Sequence, residues 1–143
     1  MRRTITGMLV GALVLDVVYW ALWFTDRDLI ASEHTRAYYE FENAFPLADA
    51  WLGVACVLAL VGLLKGWPST LFWLIAAGAS GLYLGCMDLL YDLENDIFAK
   101  GSGGAFEAVV VLVTFAFSLT LLRWSWRHRA VLLADSAAHR TGP

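Results

Sequence analysis

The stretch STLFWLIAAGASGLYLGCMDLL, residues 69–90, decides the fold class, because Asp88 is its only charged residue. A helix of roughly 20 mostly apolar residues is long enough to cross the hydrocarbon core of a bilayer. Three more stretches have the same character: residues 5–24, 47–64 and 105–122. In hydrocarbon every backbone amide needs a partner within its own segment, so all four stretches are predicted to be helices.

The composition of the whole chain favours the same class. Of its 143 residues 59% are hydrophobic, and the mean hydropathy is +0.62. One four-span domain is predicted over residues 1–143, with a cytoplasmic tail at residues 125–143. Arg2 and Arg3 precede the first span as they would a signal peptide. Its apolar run, however, exceeds the roughly 7–15 residues typical of such a peptide, so we expect it to remain a helix.

Charge is divided unequally between the two sides that these spans define. Seven basic residues fall on the side of the termini and three on the other. The four spans predict an all-α integral membrane protein of the cell membrane, an antiparallel four-helix bundle. The positive-inside rule then predicts that both termini are cytoplasmic. Twelve of the thirteen acidic residues lie toward the outer side, and Asp135 lies in the tail. No basic face suited to nucleic acid is present, so that class of partner is not expected.

Four carboxylates interrupt the apolar stretches: Asp16, Asp49, Asp88 and Glu107. A charge in hydrocarbon costs about 3 kcal/mol, so such residues mark functional sites. Asp16 is predicted about 12 Å below the outer boundary, and Asp49 and Glu107 only about 3 Å below it. Without a cationic partner the neutral form of Asp16 is favoured, and this form can donate a proton. Helix capping and solvation are alternatives for the shallow acids, as is a structural hydrogen bond for Asp16.

The third span has one polar face at its outer end. Asp88, Asp92 and Asn95 follow an i, i+4, i+7 spacing and so share that face. Gly81 and Gly85 extend it inward as a G-x-x-x-G pair, which allows another helix to approach closely. A homo-oligomer formed through these two glycines is one interpretation.

Aromatic residues occur at similar depth on several spans. Carboxylates mixed with aromatic faces suit a cation or a developing positive charge. Packing and interfacial belts are the alternative explanation. The aromatic residues expected to contact a ligand are Tyr19, Trp20, Trp23, Trp51, Tyr83 and Tyr91.

The two connections on the acidic side differ in character. Residues 30–43 contain good helix formers and neither Gly nor Pro, so an interfacial helix is predicted there. Tyr38, Tyr39 and Phe41 would then lie at the level of the lipid headgroups. The glycines of residues 101–104 predict either a hinge or a close backbone approach.

The first function that this pattern favours is an intramembrane enzyme acting on a lipophilic, isoprenoid- or lipid-like substrate. Asp16 would be the general acid and Asp88 or Asp49 the base. The layout resembles that of the four-span family that includes sterol isomerases and the sigma-2 receptor, although the chain carries none of its motifs. The residues expected to bind substrate are the six aromatics together with Asp92, Asn95 and Glu107.

Two other functions remain open. The same carboxylates suit binding or transport of a cation, an amine or a divalent metal, with Asp88, Asp92, Glu42 and Glu107 as candidate oxygen ligands. A non-catalytic accessory subunit is the third possibility. Neither haem nor a nucleotide is expected, because His34 is separated from the other histidines by the membrane and no phosphate-binding motif occurs.

Overall fold

The computed structural model describes residues 2–138, with side chains up to residue 134, and it is helical with no strand in that range. The side chain of Asp135 and the end of the predicted tail, residues 139–143, lie outside the described residues. The six α-helices are α1 (Arg2–Asp26), α2 (Arg36–Glu42), α3 (Pro46–Lys65), α4 (Thr70–Glu94), α5 (Gly101–Arg127) and α6 (Arg129–Ala138), and two short 3-10 turns lie at Arg27–Leu29 and Ile97–Ala99.

Four helices are long and apolar enough to cross a membrane: α1, α3, α4 and α5. The prediction of four such helices is confirmed. Their bounds differ from the predicted ones by one to five residues, and α4 begins one residue later than predicted. Local sequence explains the ends of α3. Pro46 opens its first turn, where a missing N–H costs nothing. Gly66 closes it with a left-handed φ of 68°, which glycine adopts without strain.

The long helices pack in chain order: α1 contacts α3, α3 contacts α4, and α4 contacts α5. The side chain of Arg2 donates to the carbonyl of Leu63, which joins the start of α1 to the end of α3. Apolar side chains from all four helices form one core away from the acidic residues. That core includes Ile5, Leu9, Ala55, Ala59, Leu74, Ala77, Leu121 and Trp124.

The glycines of α4 are covered by α5 of the same chain. A Cβ on Gly81 would lie 2.5 Å from Oγ of Ser118, and one on Gly85 would lie 3.1 Å from Cγ2 of Thr114. The close helix approach predicted from these glycines is therefore confirmed. It also occupies them within one chain, so the surface expected for a second copy at Gly81 and Gly85 is not exposed.

Both connections of the predicted acidic side meet at one end of the structure. Nζ of Lys100 lies 2.8 Å from Oε2 of Glu33, and the hydroxyl of Ser32 donates to the carbonyl of Gly103 at 3.3 Å. We call this end, formed by residues 27–45 and 95–104, the acidic end.

The predicted interfacial helix is shorter than expected. It begins only after Thr35, whose hydroxyl accepts a hydrogen bond from the amide of Tyr38, and ends at Glu42. Residues 101–104 form the first turn of α5 rather than a loose loop. A Cβ on Gly104 would lie 2.1 Å from the carbonyl oxygen of Ile97. The close backbone approach predicted for these glycines is confirmed there.

Candidate functional site

One face of α1 is bonded to the beginning of α3 and the end of α2. The hydroxyl of Tyr19 donates to Oε2 of Glu42 at 2.9 Å. The indole of Trp20 donates to Oδ2 of Asp49 at 3.0 Å. A third aromatic residue of this face, Trp23, donates to the amide oxygen of Asn43 at 3.0 Å.

Asp16 and Asp49 form what we call the acid pair. The indole of Trp20 donates to Asp49, and the charge of Asp16 acts on Asp49, so the two acids are neighbours. Oδ2 of Asp16 lies 3.1 Å from the point where a Cβ on Gly53 would be. Gly53 follows Asp49 by four positions on α3, so Asp16 lies about one helical turn farther from the acidic end than Asp49 does. The depths predicted for the two acids in a membrane stay predictions.

A second group, which we call the acid cluster, consists of Glu42, Asp88, Asp92 and Glu107. Hydroxyl groups hold Glu107 in place, since Ser32 donates to its Oε1 at 2.7 Å and Tyr38 donates to the same atom at 2.9 Å. Glu42 and Glu107 are each only 8% exposed. The charges of Glu42, Glu107 and Asp92 all act on Asp88, which places the four acids in one neighbourhood.

Asp92 is the most deeply buried acid of the cluster. It is 4% exposed, and its Oδ2 has no hydrogen-bond partner. Buried polar atoms are nearly always bonded, and each exception calls for an explanation. Asp88, one turn earlier on α4, is partly exposed, so the cluster is not sealed from its surroundings.

Within residues 2–134, neither the acid pair nor the acid cluster forms an ion pair. Two basic groups at the acidic end are paired with other acids: Lys100 with Glu33 and Arg36 with Glu40. The third, Arg27, lies over the rings of Trp23 and Tyr39. Nor do the described residues contain a group of three or more His, Cys, Asp or Glu side chains arranged to hold a metal ion. The four residues predicted as metal ligands lie in one neighbourhood, and a metal site among them stays a prediction.

Three predicted ligand-binding residues lie away from both groups of acids. Asn95 is exposed at the end of α4, where its amide donates to the carbonyl of Tyr91 at 2.9 Å. Trp51 and Tyr83 face a different groove, of about 400 Å³, between α3 and α4. The other residues lining this groove are Ala48, Ala79, Ser80 and Leu84.

Tyr91 and Tyr38 form the aromatic wall of the acid cluster together with Phe41. The rings of Tyr91 and Phe41 stack with centroids 3.8 Å apart, and Tyr38 lies 6.2 Å from Tyr91. Tyr38 was expected among the lipid headgroups, but it is only 1% exposed. The sequence did contain one indication that Tyr38 lines the acid cluster. It precedes Glu42 by four positions, and residues with this spacing share a helix face.

Sequence reasoning also missed Ser32 and Asn43. Both belong to the connection between the first two long helices, where no periodic pattern predicts which way a side chain points. Their hydrogen bonds to Glu107 and Trp23 became visible only with the path of that connection.

The fold and these two groups of acids define a class: an all-helical protein with four helices suited to a membrane and carboxylates buried at one end. Comparison with known proteins does not narrow this class. No protein-family model, no curated protein and no solved structure matches the chain.

Proposed function

We propose that the chain is a multi-pass protein of the cell membrane whose four long helices form an antiparallel bundle. The distribution of basic residues supports cytoplasmic termini, which would turn the acidic end outward. The pairing of Glu33 with Lys100 is consistent with this topology, because it requires both connections to lie on one side.

We further propose that the protein is an intramembrane enzyme using carboxylate acid–base chemistry on a lipophilic substrate, isoprenoid- or lipid-like. The single observation that carries this proposal is the acid pair, in which Asp49 accepts from the indole of Trp20 and lies in the field of Asp16. In this proposal the two acids share one proton, because neighbouring carboxyl groups in a poorly solvated place do not both ionise readily. Such a pair supplies both an acid and a base.

The arrangement favours a particular division of roles. Asp49 accepts the hydrogen bond from Trp20, which stabilises its ionised form, so we assign Asp49 as the base. Asp16 lies one turn farther than Trp20 from the C-terminal end of α1. In this assignment Asp16 is the protonated acid. Asp49 is a better partner for it than Asp88, because Asp88 belongs to the acid cluster.

The surroundings of the acid pair suit a substrate that arrives from lipid. Apolar side chains flanking Asp16 on α1 are exposed, among them Leu15 at 61% and Val17 at 66%. Gly53 lets α3 pass close to the carboxylate of Asp16, because a Cβ there would lie 3.1 Å from its Oδ2. Tyr19 and Trp20 present aromatic rings 5.2 Å apart, which would stabilise positive charge developing on the substrate.

The test is a comparison of membrane lipids. The parent protein and the variants Asp16→Asn and Asp49→Asn are expressed in the same host, and the non-polar lipids are compared by mass spectrometry with resolution of isomers. Expression of the parent should convert one lipid class, and each variant should lose that conversion. Asp26→Asn, which neutralises an exposed acid at the end of α1, is the matched control and should keep it.

Two outcomes would contradict the proposal. The first is an identical lipid profile from the parent and from the double variant Asp16→Asn/Asp49→Asn at equal protein levels. The second is a conversion that survives Asp16→Asn. Loss of conversion in Asp88→Asn but not in Asp49→Asn would move the base to the acid cluster and refute the assignment of Asp49.

A further inference from the structure

One oxygen of the buried Asp92 carboxylate lacks a hydrogen-bond partner. The residue is 96% buried, yet Oδ2 accepts no hydrogen bond from the described residues. Leaving a buried polar atom unsatisfied is costly, and more so for a charged group. The charge of Glu107 acts on Asp92, so the unpartnered Oδ2 of Asp92 belongs to the acid cluster.

The rest of the cluster has the same deficit of positive charge. The groups that bond Glu42 and Glu107 are neutral hydroxyls of Tyr19, Tyr38 and Ser32. Burying several carboxylates near one another without a cation is costly, since each lies in the repulsive field of the others. A bound cation would offset that repulsion and supply the donor that Asp92 lacks.

The chemistry of the cluster selects the kind of cation. Divalent metals bind through several oxygen ligands that converge on one point. Among the described residues, no three or more His, Cys, Asp or Glu side chains converge in this way. An ammonium group instead donates separate N–H bonds to acceptors that need not be equidistant. The rings of Tyr38, Tyr91 and Phe41 lie beside the cluster, and aromatic faces attract an ammonium group.

We propose that the acid cluster is a binding site for one ammonium group, in which the buried Asp92 accepts an N–H bond and Glu42 and Glu107 balance the charge. The ligand is either the free ammonium ion or the head group of a primary amine. The acids of this site lie on α2, α4 and α5, whereas Asp16 and Asp49 of the proposed catalytic pair lie on α1 and α3. The two groups are neighbours, since the charge of Asp49 acts on Glu42 and Asp88.

The test is the thermal stability of the protein in lipid nanodiscs at constant ionic strength. Ammonium chloride and hexylamine hydrochloride are titrated against sodium chloride, calcium chloride and hexyltrimethylammonium chloride, whose cation has no N–H donor. Ammonium, hexylamine or both should raise the Tm by about 3 °C or more over sodium. Ammonium alone identifies the free ion as ligand, and hexylamine alone identifies the amine head group.

Variants connect the effect to the cluster. Asp92→Asn should abolish the rise in Tm, and Glu94→Gln, which neutralises an exposed acid two positions later on α4, should retain it. Glu107→Gln gives a second test if Asp92→Asn does not fold, because the amide oxygen of Gln can still accept from Ser32 and Tyr38. The proposal is overturned if sodium, calcium or the quaternary amine stabilises the protein equally, or if the response survives in Asp92→Asn or, where that variant does not fold, in Glu107→Gln.

Discussion

The hydroxyl of Tyr38 donates a hydrogen bond of 2.9 Å to Oε1 of Glu107, joining residues 69 positions apart in the chain. Tyr38 is buried at 1% exposure and Glu107 at 8%, so water does not compete for the bond. This contact fastens α2 over the beginning of α5 and fixes one wall of the acid cluster.

Removing that hydroxyl should destabilise the protein. Tyr38→Phe deletes a hydrogen bond to a carboxylate while leaving the ring in place, so we expect a loss of about 2 kcal/mol in the free energy of unfolding. Reversible unfolding in mixed micelles would measure it. Tyr39→Phe is the matched control, because the Tyr39 hydroxyl bonds only the exposed His34. Equal losses in the two variants would contradict the importance assigned to Tyr38.

The indole of Trp20 should be needed for stability as well as for the acid pair. Trp20→Phe keeps an aromatic ring but removes the N–H that donates to Asp49. We expect the free energy of unfolding to fall by about 1–2 kcal/mol, because Oδ2 of Asp49 loses its hydrogen-bond donor. Trp126→Phe, at a side chain that is 61% exposed, should change stability by less than half as much. A Trp20→Phe protein as stable as the parent would argue against this bond.

The fit of α4 against α5 predicts a compensating pair of substitutions. Gly81→Ala places a methyl group 2.5 Å from Oγ of Ser118, and overpacking of this kind costs about 1–3 kcal/mol. Ser118→Ala removes a buried hydroxyl that has no hydrogen-bond partner, so the double variant should recover most of the loss.

The control for that pair is Gly11→Ala, because nothing lies within 4 Å of its added Cβ. It should be neutral or slightly stabilising. Thermal unfolding of the four variants in one detergent would measure all of these effects. Absence of any recovery in the double variant would show that α4 and α5 separate to relieve the clash.

A methyl group on Gly104 should be far less tolerable. Its Cβ would meet the backbone of Ile97 and Phe98, at 2.1 Å and 2.9 Å, and backbone cannot rotate away as a side chain can. We expect Gly104→Ala to destabilise the protein by more than about 3 kcal/mol, beyond the usual cost of overpacking. Folded yield and Tm would report it against Gly7→Ala, whose Cβ has open space. A Tm near that of the parent would contradict this reading of the turn.

The four long helices were predictable because a bilayer constrains both their length and their polarity. Residues 47–64 were expected in a span, and α3 covers Pro46–Lys65. The shared face of Asp88 and Asp92 followed from helix geometry alone. Asn95 failed the same rule because α4 ends at Glu94, and the amide of Asn95 instead bonds the last turn.

Contacts between helices were harder to predict, because periodicity does not show how each helix is rotated relative to its neighbours. Trp51 follows Asp49 by two positions, which turns it by roughly 200° around α3. It therefore faces α4, where its indole donates to Ser80, while Asp49 faces α1. The irregular connection bearing Ser32 carried no pattern that predicted its contact with Glu107.

The hydrogen bond from Ser32 to Glu107 has a consequence for synthesis of the chain. Its two ends are 75 positions apart, and Tyr38 meets the same carboxylate across 69 positions. The ribosome synthesises the first connection well before α5. Until α5 is made, Ser32, Tyr38 and Glu42 lack their neighbour Glu107. The helices can insert one at a time, but the acidic end is completed only when α5 arrives.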